Sequence, residues 1–208
     1  ADAVAAAPDG GSVLIMATGY PDARTAVDEA LFEAALKKNL RMYVEYPAYV
    51  PGIALGDRRV TRWERGVVAS DFFGGELAQD RILAIHGCRY LPAEASNPHL
   101  VMARLAGFDT AVFGIPKDAA PILFEHPERR LLVATTDLSR FVTARYAPSD
   151  AWKTIWTRIL SWLAPGMALR GLDYTPLVRP SFTAAETLPG DAEFEAFTRG
   201  ANWFFDAK

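Results

Sequence analysis

The chain has 208 residues, half of them hydrophobic, with a formal net charge of −3 and a single cysteine. A chain of this size buries enough surface to fold as one domain without disulfides or a structural metal. Its evenly spread charge excludes the basic surface that nucleic acid requires, and no apolar run approaches the ~18 residues of a membrane span. One cysteine and three scattered histidines lack the spacing of a zinc site, and we expect neither a metal nor a cofactor.

The opening segment ADAVAAAPDGGS is small, polar and poor in apolar bulk. It is compatible with the remainder of a cleaved signal peptide or with an arbitrary start of the chain. The first of these favours a periplasmic or extracellular location, which the single cysteine does not decide.

The first predicted elements form one strand–helix–strand unit. Residues 11–20 form a short apolar strand, residues 21–39 carry helical spacing, and residues 41–47 form a second strand. Asp28 lies early in the helix and Lys38 late, which suits the helix dipole. Such a unit normally belongs to a parallel sheet.

The middle of the chain predicts further short strands and ends in a hairpin. They fall at 66–73, 81–87, within 99–116, at 121–125 and at 129–136. The last two are joined by His-Pro-Glu, a short connection typical of antiparallel neighbours.

The clearest helix spans 147–166, where apolar residues recur at helical spacing before Pro165 and Gly166. An α/β domain over 11–166 is therefore predicted. Residues 167–191 have the composition of an extended linker, and 192–208 begin another amphipathic helix. We expect that helix to open a following helical domain of the same polypeptide.

The single cysteine, Cys88, lies in LAIHGCRYLP, directly after an apolar run and a glycine. His86 precedes it and Arg89 follows it, and either cation lowers a thiol pKa when it lies close. Cys88 is therefore a candidate nucleophile with His86 as its base. The alternative is a small buried hydrophobe beside a structural histidine.

An alternating α/β chain with Gly-Cys at a strand end resembles the class I glutamine amidotransferase-like superfamily. The resemblance implies a flavodoxin-like three-layer sandwich with a mainly parallel sheet. Active members of that superfamily place the cysteine in Gly-x-Cys-x-Gly, on a tight turn from strand to helix. Here HGCRY supplies one glycine, and Arg89 and Tyr90 are bulky where the turn requires small residues.

The segment FEHPE resembles the His-x-Glu pair that completes the amidotransferase triad. His126 and Glu128 lie in the predicted hairpin turn, however, and we interpret them as part of a solvated turn. On the strand that follows, the matching positions hold Thr135, Thr136 and Asp137.

The strand ending LAIHGC and the later hairpin and long helix are more similar to the trehalose-utilisation-like and β-galactosidase-associated branch. That resemblance covers about residues 11–165. It implies a non-catalytic accessory domain of a glycoside hydrolase-like protein, packed against a neighbouring catalytic domain. Two alternatives stay open: a cysteine-dependent hydrolase or amidotransferase-like enzyme using Cys88 with His86 or His126, and a sugar-binding module.

Polar residues after predicted strands supply the binding candidates. Asp71 lies in the Gly-Gly turn of SDFFGGE, and strand ends in α/β sheets are where ligands gather, so Asp71 is expected to share a cleft with Cys88. The loop TTDLSRFVTARYAPSD carries Asp137, Arg145 and Tyr146. With Arg89, these side chains have the chemistry to hold a sugar or a carboxylate.

Overall fold

The computed structural model describes residues 2–83, 85, 87–139 and 149–167. It contains three helices, α1 (Asp2–Ala6), α2 (Glu29–Lys37) and α3 (Ser149–Leu163). The strands are β1 (Ser12–Ile15), β2 (Arg41–Glu45), β3 (Arg59–Val60), β4 (Arg65–Val68), β5 (Ile82–Leu83), β6 (Arg89–Tyr90), β7 (Pro98–Ala103), β8 (Ala120–Glu125) and β9 (Leu131–Ala134). Two short 3₁₀ helices, Asp71–Phe73 and Gly75–Leu77, follow β4.

Seven strands form one mixed sheet in the order β1-β2-β9-β8-β7-β4-β5, while β3 and β6 pair separately. The strands β1, β2 and β9 are mutually parallel, and every other pairing in the large sheet is antiparallel. The α/β class is therefore correct, but the mainly parallel sheet was a wrong prediction. Short apolar strands have the same residue pattern in either orientation, so periodicity does not reveal their direction.

The strand directions define two edges of the sheet. We call the edge at which β1, β2 and β9 end the upper edge, and the edge at which they begin the lower edge. Because β8 is antiparallel to β9, β7 to β8 and β4 to β7, β4 and β8 end at the lower edge.

Helices cover both faces of the sheet. The buried stripe of α3, which includes Trp152, Ile155 and Ile159, packs against Tyr43 and other side chains of one face. On the opposite face, Phe32 of α2 packs with Met42 and Val44, the neighbours that alternate with Tyr43 along β2. Each buried aliphatic or aromatic side chain contributes about 1.5–3 kcal/mol of transfer free energy, so these two interfaces dominate the stability of the fold.

The predicted strand–helix–strand unit is confirmed as β1–α2–β2, and the predicted hairpin as β8–β9. Helix α2 begins one residue after Asp28, whose carboxylate accepts the backbone N–H of Leu31 at 2.9 Å. The helix predicted at 147–166 is α3. None of the described helices is long and apolar enough to span a membrane.

The short N-terminal helix is held by one side chain from the end of α2. Lys38 Nζ donates to the carbonyl oxygens of Val4, Ala5 and Ala7 at 3.2, 2.6 and 2.8 Å. A helix of this length is not stable alone, so α1 depends on this contact and on the burial of Val4.

The predicted linker from residue 168 onward and the helix predicted at 192–208 lie outside the described residues. So do His86, Arg145 and Tyr146, for which the sequence predictions stay predictions.

Candidate functional site

A buried pair of carboxyl groups lies at the upper edge of the sheet. Glu45 is the last residue of β2, and Asp137 lies three residues beyond the end of β9, whose Ala134 pairs with Glu45. The side chains are 0% and 1% exposed. Because the two strands are parallel neighbours, their ends bring both acids to the same place.

The chain satisfies the Glu45 carboxylate with three donors. Oε1 accepts the hydroxyl of Tyr43 at 2.8 Å and the backbone N–H of Ser139 at 3.3 Å, while Oε2 accepts the N–H of Ala17 at 3.2 Å. The Ser139 hydroxyl also donates to Asp137 Oδ1 at 2.5 Å. Ser139 thus bridges the two acids.

Burial is the largest influence on the Glu45 carboxyl, followed by the negative charge of Asp137, and together they raise its pKa to about 7. The hydrogen bonds from Tyr43, Ala17 and Ser139 act in the opposite direction and hold the pKa below what burial alone would give. Burial and the nearby Glu45 charge also raise the pKa of the Tyr43 hydroxyl well above its usual value. A carboxyl that titrates near neutral pH at a strand end is a functional-site candidate.

The segment that carries Cys88 is fixed to the same edge. Tyr20 Oη accepts the backbone N–H of Arg89 at 2.8 Å and donates to its carbonyl at 3.0 Å. The Thr136 hydroxyl donates to the same carbonyl at 2.8 Å. Of the predicted site residues, the structure therefore brings Cys88, Arg89 and Asp137 to one edge of the sheet.

The Cys88 thiol itself lies in a closed environment. The residue is 0% exposed, and its Sγ is 3.4 Å from Thr136 Oγ1. The main chain of Cys88 exchanges hydrogen bonds with Thr61, whose N–H donates to the Cys88 carbonyl at 2.9 Å and whose Oγ1 accepts the Cys88 N–H at 3.0 Å. Burial raises the thiol pKa to about 12, and the smaller effects of Thr136 and Arg89 do not offset it.

The backbone around Cys88 also differs from a nucleophile turn. Gly87 has a positive φ of 63°, but Cys88 leads into the strand β6 and not into a helix. Thr136 faces the sulfur from the end of β9. The threonine supplies a hydroxyl that is neither a base nor a cation.

His126 lies at the lower edge, in the turn after β8, whereas Cys88 lies at the upper edge. Its Nε2 donates to the carbonyl of Pro51 at 2.8 Å, and its Nδ1 accepts the N–H of Glu128 at 3.1 Å. Both ring nitrogens are thus committed to the backbone. The turn was predicted to be solvated, and this is wrong for His126, which is 6% exposed because the Pro51 segment covers it.

Asp71 does not share a cleft with Cys88. It begins the 3₁₀ helix after β4, and β4 ends at the lower edge because it is antiparallel to β7. The sequence pattern marked Asp71 as a strand-end residue but could not give the direction of that strand, which decides the edge.

A second polar cluster surrounds His99 at this lower edge. Ser70 Oγ accepts the N–H of Phe72 at 3.3 Å and shares a hydrogen bond of 2.9 Å with His99 Nδ1. His99 Nε2 is 3.9 Å from a carboxylate oxygen of Glu125. The order acid, imidazole, hydroxyl resembles the relay of a serine hydrolase.

Two features favour a structural role for this cluster. Burial lowers the pKa of His99 to about 4, against a smaller opposing effect of Asp71, which makes the imidazole a weak base. The His99 ring is also stacked on Phe72 at a centroid distance of 4.1 Å. Ser70 caps the 3₁₀ helix, and Glu125 accepts the indole N–H of Trp162 at 3.2 Å, which joins α3 to the sheet.

Sequence reasoning missed Glu45, Tyr43 and Ser139. The available signal was the lone acid in RMYVEYP, where a charged residue occupies a position of an otherwise apolar strand. A buried acid needs donors, and the tyrosine two residues earlier lies on the same face of the strand.

Comparison with known proteins places the chain no more narrowly than the mixed α/β class that its fold and site define. No protein-family model matches it, and no curated protein matches it significantly. Among solved structures, it resembles Agd3, whose crystal structure is described as that of a novel carbohydrate deacetylase, with 13% identity and a TM-score of 0.45. The match covers 74% of this chain and 24% of Agd3, so the chain spans about a quarter of that protein's length. A likeness of this size decides neither the fold family nor the function.

Proposed function

We propose that this chain is a non-catalytic accessory domain of a carbohydrate-active protein, built on a class I amidotransferase-like scaffold that performs no cysteine chemistry. The observation that carries the proposal is the closed environment of Cys88, whose sulfur faces Thr136. The carbohydrate setting and the scaffold come from the sequence resemblance given above.

The pKa of Cys88 argues against a nucleophile in quantitative terms. A thiol with a pKa of about 12 is ionised to roughly one part in 10⁵ at neutral pH. Only the thiolate attacks a carbonyl carbon at a useful rate. Activation would require a base within hydrogen-bond reach, and the two histidines that the structure describes, His99 and His126, both lie at the lower edge.

An exposed apolar surface supports the packing of this domain against another body. Trp63, Phe108 and Phe113 are 74%, 96% and 90% exposed. The Arg65 guanidinium, two residues after Trp63, donates to the carbonyl oxygens of Leu105 and Gly107 and so holds the loops of Trp63 and Phe108 together. Trp63 and Phe108 therefore lie in neighbouring loops, and exposed aromatic side chains are typical of interaction surfaces.

Thiol titration and a turnover assay on the folded chain test the proposal together. We expect a thiol reagent such as 5,5′-dithiobis(2-nitrobenzoate) to label Cys88 only after unfolding, and glutamine and ester substrates to show no turnover. Cys88→Ser keeps the size of the side chain, and Cys88→Ala removes its polar atom. Turnover that disappears in both variants would overturn the proposal.

A further inference from the structure

The face of the sheet opposite α3 is only partly covered by helices. Helix α2 packs over β2 and β9, whereas the part formed by β4 and β7 is covered by the loops on either side of Ile115. Val67 and Val101 form the small core beneath these loops. An open groove of about 730 Å³ lies there, between the 93–98 loop and the 115–119 loop.

The floor of the groove is apolar and shallow. Ala69, Val101 and Pro121 form part of it, and small side chains such as Ala93, Ala95 and Ala119 continue it. A volume of this size falls within the range of ligand-binding clefts, about 300–1,000 Å³.

Four polar side chains line the same groove: Gln79, Glu94, Ser96 and Lys117. All four residues are exposed, and within the part of the chain that the structure describes none of their side chains makes a hydrogen bond or an ion pair. They present donors and acceptors in similar number. One acid and one base leave the groove without net charge.

We propose that this groove binds a neutral oligosaccharide. A pyranose ring has an apolar C–H face and a rim of hydroxyl groups that both donate and accept, which fits an apolar floor edged by unused polar side chains. The inference rests on the proposed function for its carbohydrate setting and adds the site and the ligand class.

Other ligand classes fit the groove less well. The floor strands β7 and β8 each have hydrogen-bonded neighbours on both sides, so an extended peptide cannot add to the sheet there. A phosphate or other anion requires an excess of positive charge, and Glu94 offsets the single cation, Lys117.

The test uses the whole chain labelled with ¹⁵N and a panel of neutral hexasaccharides: cellohexaose, xylohexaose, mannohexaose and chitohexaose. We expect at least one of them to shift the amide signals of the 93–98 and 115–119 loops in a saturable titration. Ser96→Trp, which places a bulky ring in the groove from an exposed position, should weaken that binding about tenfold or more.

Ala30→Trp is the matched control, because it adds the same ring at an exposed position of α2 outside the groove. It should leave binding unchanged. The proposed site would be overturned if no hexasaccharide shifted any amide signal, or if the shifts mapped outside the groove and persisted in Ser96→Trp. Cysteine-dependent turnover with intact groove binding would overturn the proposed function alone, so the two failures are distinguishable.

Discussion

Burial shifts the pKa of Glu45 at the upper edge of the sheet and that of His99 at the lower edge, and the two groups respond to pH in opposite directions. At the upper edge, burial raises the pKa of Glu45 to about 7, and at the lower edge it lowers the pKa of His99 to about 4. In both places the fold favours the neutral form, because burial penalises charge. An acid loses stability as it ionises at higher pH, whereas an imidazole loses stability as it becomes protonated at lower pH.

These opposite slopes overlap. The ordinary pKa of a glutamate is 4.5, so between pH 4.5 and about 7 Glu45 holds a proton in the folded state that it has lost in the unfolded state. The ordinary pKa of a histidine is 6.5, so between about pH 4 and 6.5 His99 is neutral in the folded state but protonated in the unfolded state. Between pH 4.5 and 6.5 the contributions of these two groups nearly cancel. A pH profile of stability that is flat therefore conceals two groups that titrate with opposite effects.

Glu45→Gln gives the largest expected effect. The amide keeps the shape of the side chain and removes the ionisation that the fold opposes. The contribution of His99 is then no longer cancelled, so the unfolding free energy of the variant should rise from pH 4.5 to 6.5. The shift from 4.5 to about 7 corresponds to about 3 kcal/mol at pH 8. Urea unfolding at pH 5, 6.5 and 8 measures it, and an unchanged slope would contradict the buried acid pair.

His99→Gln tests the other edge and should have the reverse effect. It removes the loss of stability that occurs as pH falls from 6.5 to about 4, a contribution of about 3 kcal/mol at pH 4. The variant should therefore lose stability as pH rises from 4.5 to 7, because the contribution of Glu45 is no longer cancelled by that of His99. The same urea series measures this, and a variant profile as flat as that of the wild type would refute the cancellation.

Thr136→Val should cost about 1–2 kcal/mol at every pH, because the change removes the hydroxyl that donates to the Arg89 carbonyl and lies against Cys88. The variant measures the contribution of an uncharged hydrogen bond at the upper edge, which is independent of the ionisation of Glu45. Thermal unfolding at two pH values measures it. A cost that varies with pH would contradict the assignment of purely uncharged hydrogen bonds to the Thr136 hydroxyl. Thr135→Val, which removes a neighbouring buried hydroxyl bonded to Pro121, is the matched control.

Trp162→Phe should have the smallest effect, about 0.5–1 kcal/mol, because it removes one hydrogen bond to the half-exposed carboxylate of Glu125. The same change should raise the pKa of His99, because the Glu125 carboxylate, no longer bonded to Trp162, would be free to approach His99 Nε2. An NMR titration of the His99 ring measures that pKa. A lower value would show that the Glu125 carboxylate has moved away from the ring.

Local pattern predicted the elements better than their arrangement. The β1–α2–β2 unit, the β8–β9 hairpin and α3 each carry their own periodicity and turn chemistry, so their prediction needed no knowledge of the rest of the fold. The direction of β4 depends on its pairing with β7, which no local pattern encodes. That one unknown placed Asp71 at the wrong edge.

The candidate site divides in the same way. Asp137 follows a predicted strand and was found, whereas Glu45 ends its strand within an apolar run and was missed. The contact between Cys88 and Thr136 joins residues 48 positions apart, so only the folded chain reveals that the thiol faces a hydroxyl.

The hydrogen bonds from Lys38 to the N-terminal helix have a consequence for covalent modification. Acetylation of its ammonium would remove the positive charge and leave one N–H for the three carbonyl oxygens of Val4, Ala5 and Ala7. The helix α1 would then detach from the end of α2, while the sheet and its two edges stayed folded.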